Sequence, residues 1–164
     1  MDNFYLKVGF DVVHILATIT WFGALFTNVV LVGPAARGAM DGKQIGEFMG
    51  RLMKRTKVVV YISFGLLFIT GIPMKISNVN YVSIINFSNS WQIVTFIKHV
   101  SVALIGLLVL YNFEVHPRRL KKAISESSPE KIARLNKTRD MVGKLSMALA
   151  FLIILLSALM RYIG

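Results

Sequence analysis

The sequence predicts an all-α integral membrane protein: four transmembrane helices in an up-down-up-down bundle, with both termini extracytoplasmic. Three observations predict it. Hydrophobic residues make up 55% of the chain and charged residues only 16%, a balance that does not suit a soluble domain of this size. Four apolar stretches, at about 8–32, 57–72, 92–113 and 144–163, approach the length that a hydrocarbon core of about 30 Å requires. The basic residues are also unevenly placed. Six lie between the first two stretches (Arg37, Lys43, Arg51, Lys54, Arg55, Lys57). Nine lie between the third and fourth (Arg118, Arg119, Lys121, Lys122, Lys131, Arg134, Lys137, Arg139, Lys144). Only Lys7, Lys75, Lys98 and Arg161 fall elsewhere. Fifteen against four puts both basic loops in the cytoplasm of a multi-pass protein of the cell membrane, where they meet anionic headgroups. With four spans in 164 residues, the chain reads as a single transmembrane domain, 1–164.

The net charge of +11 would suggest nucleic acid in a soluble protein, but its placement assigns it to topology and no nucleic-acid partner is expected. The absence of cysteine excludes disulfides, thiolate metal sites and iron–sulfur clusters. The first apolar run exceeds the roughly 7–15 residues of a signal-peptide core, so cleavage is not expected.

The first span, about Val8 to Val32, is expected to stop at Gly33-Pro34. Asp41 then reads as an N-cap, with Gln44 completing a capping box. Ile45, Phe48, Met49, Leu52 and Met53 follow at helical spacing. No breaker separates this stripe from the second span, so one long helix is expected to end near Pro73. Gly42, Gly46 and Gly50 line one of its faces and suit close helix packing. Residues 74–91 read as an Asn- and Ser-rich extracytoplasmic loop. The third span, about Gln92 to Phe113, leads into Pro117 and a basic stretch. Ser128-Pro129-Glu130 is a helix start, with an N-cap, Pro at N1 and an acid in the first turn. That helix continues through the fourth span. No internal repeat is evident.

Polar groups inside spans are costly and are the first candidates for function. Asp11, His14, Thr18, Trp21 and Asn28 share one face of the first helix, which is expected to turn into the bundle. The bland reading is a hydrogen-bonded packing stripe; the sharper one makes His14 a ligand and Asp11 its orienting partner. The third span carries Lys98 and His99. In the expected topology the first and third helices run parallel, which brings His14 and His99 to a similar depth, about 10 Å from the outer edge. Two such imidazoles suit a haem or metal clamped from both sides, and Gly106, on the His99 face, leaves room for a flat macrocycle. The four outlying cations, Lys98 and Arg161 among them, are expected near the outer rim as propionate partners or as snorkelling anchors. Met74 and Met160, at the outer ends of the second and fourth spans, offer thioethers that with imidazole suit copper. His116 reads as interfacial. No phosphate loop, nucleophilic triad or HExxH motif is present.

Val13-His14-Ile15-Leu16-Ala17 with Trp21-Phe22-Gly23 resembles the first-helix signature of CopD-type (copper-resistance D) membrane proteins. Arg55 leading a span that closes with Thr70-Gly71, Lys98, Tyr111-Asn112-Phe113 and Pro117-Arg118-Arg119-Leu120 match in the same order. The layout is also similar to the membrane protoporphyrinogen oxidase family, with His14, Trp91 and Lys98 in matching places. Val30-Leu31-Val32-Gly33-Pro34 stands where that family is basic and rich in tyrosine and histidine. The CopD resemblance implies copper handling at the membrane and supports His14 and Lys98, whereas His99 rests on depth alone.

Three readings stay open. The first is a haem b protein for electron transfer or membrane redox chemistry, an oxidoreductase function included. Its axial ligands are His14 and His99, with Asp11 behind them and Lys98 or Arg161 as propionate partners. The second is a copper-binding or copper-translocating protein using His14 with His99, Met74 or Met160. The third is a structural subunit whose basic helices dock a cytoplasmic partner. Beyond the lipid bilayer, a redox partner or quinone and a homo-oligomer or larger membrane complex are the partners considered.

Overall fold

A computed structural model describes residues 4–83, 85 and 87–163, and every regular element among them is helical. Four helical stretches are long and apolar enough to cross a membrane: Phe4–Ala39, Gly42–Ile76, Ser90–Ser125 and Pro129–Leu159. They form two units divided at Phe87 and Ser88, each a helical hairpin.

In the first hairpin, helix α1 (Phe4–Phe26) passes through a π segment (Thr27–Val32) into the short α2 (Gly33–Ala39), and the chain returns along α3 (Gly42–Ile76). Asp41 caps α3 as expected: its carboxylate accepts from Gln44 N–H at 2.8 Å, and the Gln44 side chain accepts from Asp41 N–H at 3.2 Å. The pairs His14–Thr70, Trp21–Phe64 and Asn28–Thr56 show that α1 and α3 are antiparallel. His14, Trp21 and Asn28 recur at seven-residue intervals along α1 and the π segment that continues it, as do Thr56, Ser63 and Thr70 on α3. That period keeps one seam facing its partner along both helices.

In the second hairpin, α4 (Ser90–Leu110), a π segment (Tyr111–Val115) and α5 (His116–Ser125) run into a turn and then α6 (Pro129–Leu159). Asn89 caps α4 by accepting from Gln92 N–H at 2.8 Å. Gly143, Ser146 and Ala150 are buried on α6, small residues that admit a close neighbour. Thr95, Ser101 and Ile105 are buried on α4. At the turn, Ser127 takes a positive φ of 48°, and Ser127 and Ser128 N–H groups return to the Ile124 and Ala123 carbonyls, closing α5 as a left-handed C-cap does. A hydrogen bond from Lys131 at 2.7 Å holds the Glu126 carboxyl below the usual carboxylate range. Pro129 and Glu130 open α6 as expected, whereas Ser128 occupies the N-cap without a side-chain hydrogen bond.

Gly33-Pro34 does not end the first helix, contrary to the sequence expectation. Proline lacks an N–H and its ring crowds the carbonyl four residues back. Here the register slips instead, and Gly33 N–H bonds the Asn28 carbonyl, five residues back. The wider turn accommodates the ring and the helix continues to Ala39. The second hairpin uses the same device: His116 N–H reaches the Tyr111 carbonyl just before Pro117, and the third helix runs on to Ser125. The two hairpins thus share an order of long helix, π segment, proline and return helix that was not read from the sequence. Helix α3 also passes through Pro73 to Ile76. Gly42, Gly46 and Gly50 face open space, with nothing among the described residues within 4 Å of a Cβ built on any of them.

Gly33 is where this arrangement is most constrained, because a Cβ there would stand 3.0 Å from the Asn28 carbonyl oxygen. Gly33→Ala is expected to destabilise the first hairpin by about 1–3 kcal/mol, the usual range for forced overpacking. The check is the thermal midpoint in detergent against wild type, and an unchanged midpoint contradicts the account.

Candidate functional site

His14 stands in the third turn of α1, part-buried against α3. Its Nδ1 lies 2.7 Å from Thr70 Oγ1. The Thr70 hydroxyl also lies 2.7 Å from the Leu66 carbonyl oxygen, four residues back on its own helix. A carbonyl only accepts, so the single hydroxyl proton goes to Leu66 and Thr70 Oγ1 must accept from His14. The ring therefore carries its proton on Nδ1, and Nε2 is the nitrogen with the lone pair. Gly71 completes the seat: a Cβ there would meet His14 Cε1 at 3.2 Å. The imidazole edge rests where only a hydrogen stands.

His99 stands in the third turn of α4 and is exposed. Its Nδ1 is 2.6 Å from the backbone carbonyl oxygen of Thr95. That partner too can only accept, so His99 has the same tautomer as His14. The Thr95 side chain donates in turn to Met160 Sδ at 3.7 Å. One buried threonine thus touches His99 through its carbonyl and Met160 through its hydroxyl.

The remaining sequence candidates divide between the hairpins. Met74 follows Thr70 by one helical turn and is part-buried on α3, so each hairpin has a histidine and a methionine toward the same end. Asp11, read as the orienting partner of His14, is exposed on α1, and Nδ1 is oriented by Thr70. Thr18 returns its hydroxyl to the His14 carbonyl at 2.8 Å. Lys98 is part-buried and Arg161 exposed. Lys75 stands over the Tyr81 ring at 5.9 Å. A Cβ on Gly106 would meet nothing within 4 Å among the described residues, which leaves room on that helix. No cluster of three or more His, Asp or Glu side chains suited to a metal occurs among the described residues.

His116, expected at the interface, is buried at 3% exposure. Tyr111 meets its ring edge-on at 6.4 Å, and the Leu135 backbone and Arg139 lie beside it. Among the described residues, its Nε2, Asn112 Oδ1 and Ser146 Oγ are buried without hydrogen-bond partners.

Thr70 and Thr95 were not singled out as functional from the residues themselves. The available signal was the seven-residue recurrence of Thr56, Ser63 and Thr70, which mirrors that of His14, Trp21 and Asn28. For Thr95 the signal was its position four residues before His99, within reach of a side chain that turns back along its own helix. Comparison of the chain with family models, characterised proteins and solved structures finds no match in any of the three.

His116 is distinguishable from the other two histidines by stability. Its Nε2 has no partner among the described residues, but the ring hydrogen-bonds the Leu135 backbone, and a typical intramolecular hydrogen bond contributes about 0.5–1.5 kcal/mol. His116→Phe, which removes that bond, is therefore expected to lower the thermal midpoint in detergent. An unchanged or raised midpoint contradicts this reading of His116.

Proposed function

We propose that this chain is a cell-membrane redox protein that holds haem b near the extracytoplasmic face, with His14 and His99 as its ligands. In this reading both termini are extracytoplasmic and the basic segments face the cytoplasm, as the distribution of Lys and Arg requires. The observation that carries the proposal is the shared tautomer of His14 and His99. Each ring has Nδ1 committed to an acceptor on protein, the Thr70 hydroxyl or the Thr95 carbonyl. Each therefore offers Nε2 as the donor atom. Ligating histidines commonly have this arrangement, since the Nδ1–H bond orients the ring and raises its basicity.

The donor set fits the group. His14 and His99 would hold the group through neutral imidazoles, and no thiolate is required. His99 is exposed on an apolar helix, where a macrocycle could reach its ring. Open space beside Gly106 suits a flat ligand, and Lys98 or Arg161 would neutralise propionates. When bound, haem supplies reversible one-electron transfer to a redox partner or quinone. The protein orients the ligands, excludes water and supplies countercharge.

A second reading has one specific support. Met160 Sδ sits beside Thr95, the residue that also anchors His99, so a thioether and an imidazole approach one end of the second hairpin. That pair suits copper, as do His14 and Met74 of the first hairpin, and the reading accords with the resemblance to CopD-type proteins.

An absorbance spectrum of the detergent-purified chain separates these readings. The haem reading expects a Soret band with sharp α and β bands on reduction, lost or converted in both His14→Ala and His99→Ala. A colourless protein that binds copper, and loses it in Met160→Leu, supports the second reading and defeats the first.

A further inference from the structure

Two adjacent residues of α3 seat His14, and each makes a different contact. Thr70 is 3% exposed and meets Nδ1 at 2.7 Å. Gly71 faces Cε1, which a methyl group in its place would meet at 3.2 Å, tighter than ordinary van der Waals contact. A ring on a membrane helix has two free torsions and two neutral tautomers. The hydroxyl selects the tautomer, because its only proton is committed to Leu66. The glycine fixes how deeply the ring leans on α3. Serine in place of Thr70 would retain the acceptor; valine would keep the shape and remove it.

We propose that Thr70 and Gly71 are positioning residues that present His14 Nε2 for ligation, one by hydrogen bond and the other by the absence of a side chain. The proposal deepens the reading of His14 as a ligand and rests on it, but its core claim holds in the metal-free chain. Thr70 is more than a packing residue here. In a polar seam that only holds helices together, any hydrogen-bonded pair serves, and the tautomer has no consequence. In a ligand site, the wrong tautomer puts the proton on the donor atom and blocks binding. Gly71 adds a steric limit: with a methyl group present, the ring must lift from α3 by a few tenths of an ångström, and Nε2 moves with it.

The test uses the full chain, labelled with ¹⁵N-histidine, in detergent without added haem or metal. The spectrum is taken at about pH 8, where an ordinary imidazole is neutral. Long-range proton–nitrogen correlations report the tautomer of each ring, and the His14 signals are identified by their loss in His14→Ala. Wild type and Thr70→Ser are expected to show the Nδ1–H form of His14 alone. Thr70→Val is expected to show both tautomers, and Gly71→Ala to retain Nδ1–H while shifting the Cε1–H resonance. An unmixed Nδ1–H tautomer in Thr70→Val overturns the role of Thr70, and an unmoved Cε1–H in Gly71→Ala overturns that of Gly71. A second measurement adds haem b to the same proteins. Thr70→Val is expected to bind it about 10–100-fold more weakly, as for other losses of a ligand's supporting hydrogen bond, with Thr70→Ser near wild type. Equal affinity in Thr70→Val and wild type overturns the link to ligation. If no variant, wild type included, binds haem while the tautomers behave as expected, the haem reading fails and the role of Thr70 in setting the ring stands.

Discussion

A polar side chain in hydrocarbon has no water to turn to, so it must find its partner within the protein. In the first hairpin that constraint sets the pairing of two helices. His14, Trp21 and Asn28 face Thr70, Phe64 and Thr56 along one antiparallel seam. Each polar bond of this kind is worth only about 0.6 kcal/mol in a membrane protein on average. Its larger effect is on register. A slip of one residue along either helix would leave His14 and Asn28 facing lipid or unpaired. The register that satisfies the seam also delivers Thr70 and Gly71 to the His14 ring.

From that register the chemistry of the site follows by proton counting. Thr70 spends its proton on Leu66, so His14 must supply its own. In the second hairpin a backbone carbonyl imposes the same outcome on His99. Two unlike acceptors, a hydroxyl and a main-chain carbonyl, produce one tautomer at two positions. The π segments belong to the same logic. They let each hairpin keep its helix through a proline, so the seam above is not cut short by the turn below.

Much of this architecture was legible in the sequence. Length and hydropathy are additive over a window, which is why the four long helices could be read directly. The Asp41–Gln44 capping box and the opening of α6 at Pro129 and Glu130 were legible for a related reason, since both depend on residues a few positions apart. What escaped depended on register or on neighbours far along the chain. Gly33-Pro34 reads as a stop because punctuation rules do not anticipate a slip to five-residue hydrogen bonding. Asp11 shares the helical face of His14 by spacing, yet one turn closer to the end of α1 it is exposed. That His116 is buried was not legible beside its basic neighbours, because it depends on residues of α6 lying against it. The part played by Thr70 requires knowing which residue of α1 it meets, and that becomes visible only once the two helices are paired.

The central proposal is that His14 and His99 are haem ligands through their ε-nitrogens. Low-temperature electron paramagnetic resonance of the oxidised, haem-loaded chain tests it most directly. A low-spin ferric signal characteristic of two imidazoles is expected, converted to high spin when either histidine is replaced by alanine. A low-spin signal that persists in His14→Ala or His99→Ala would contradict it.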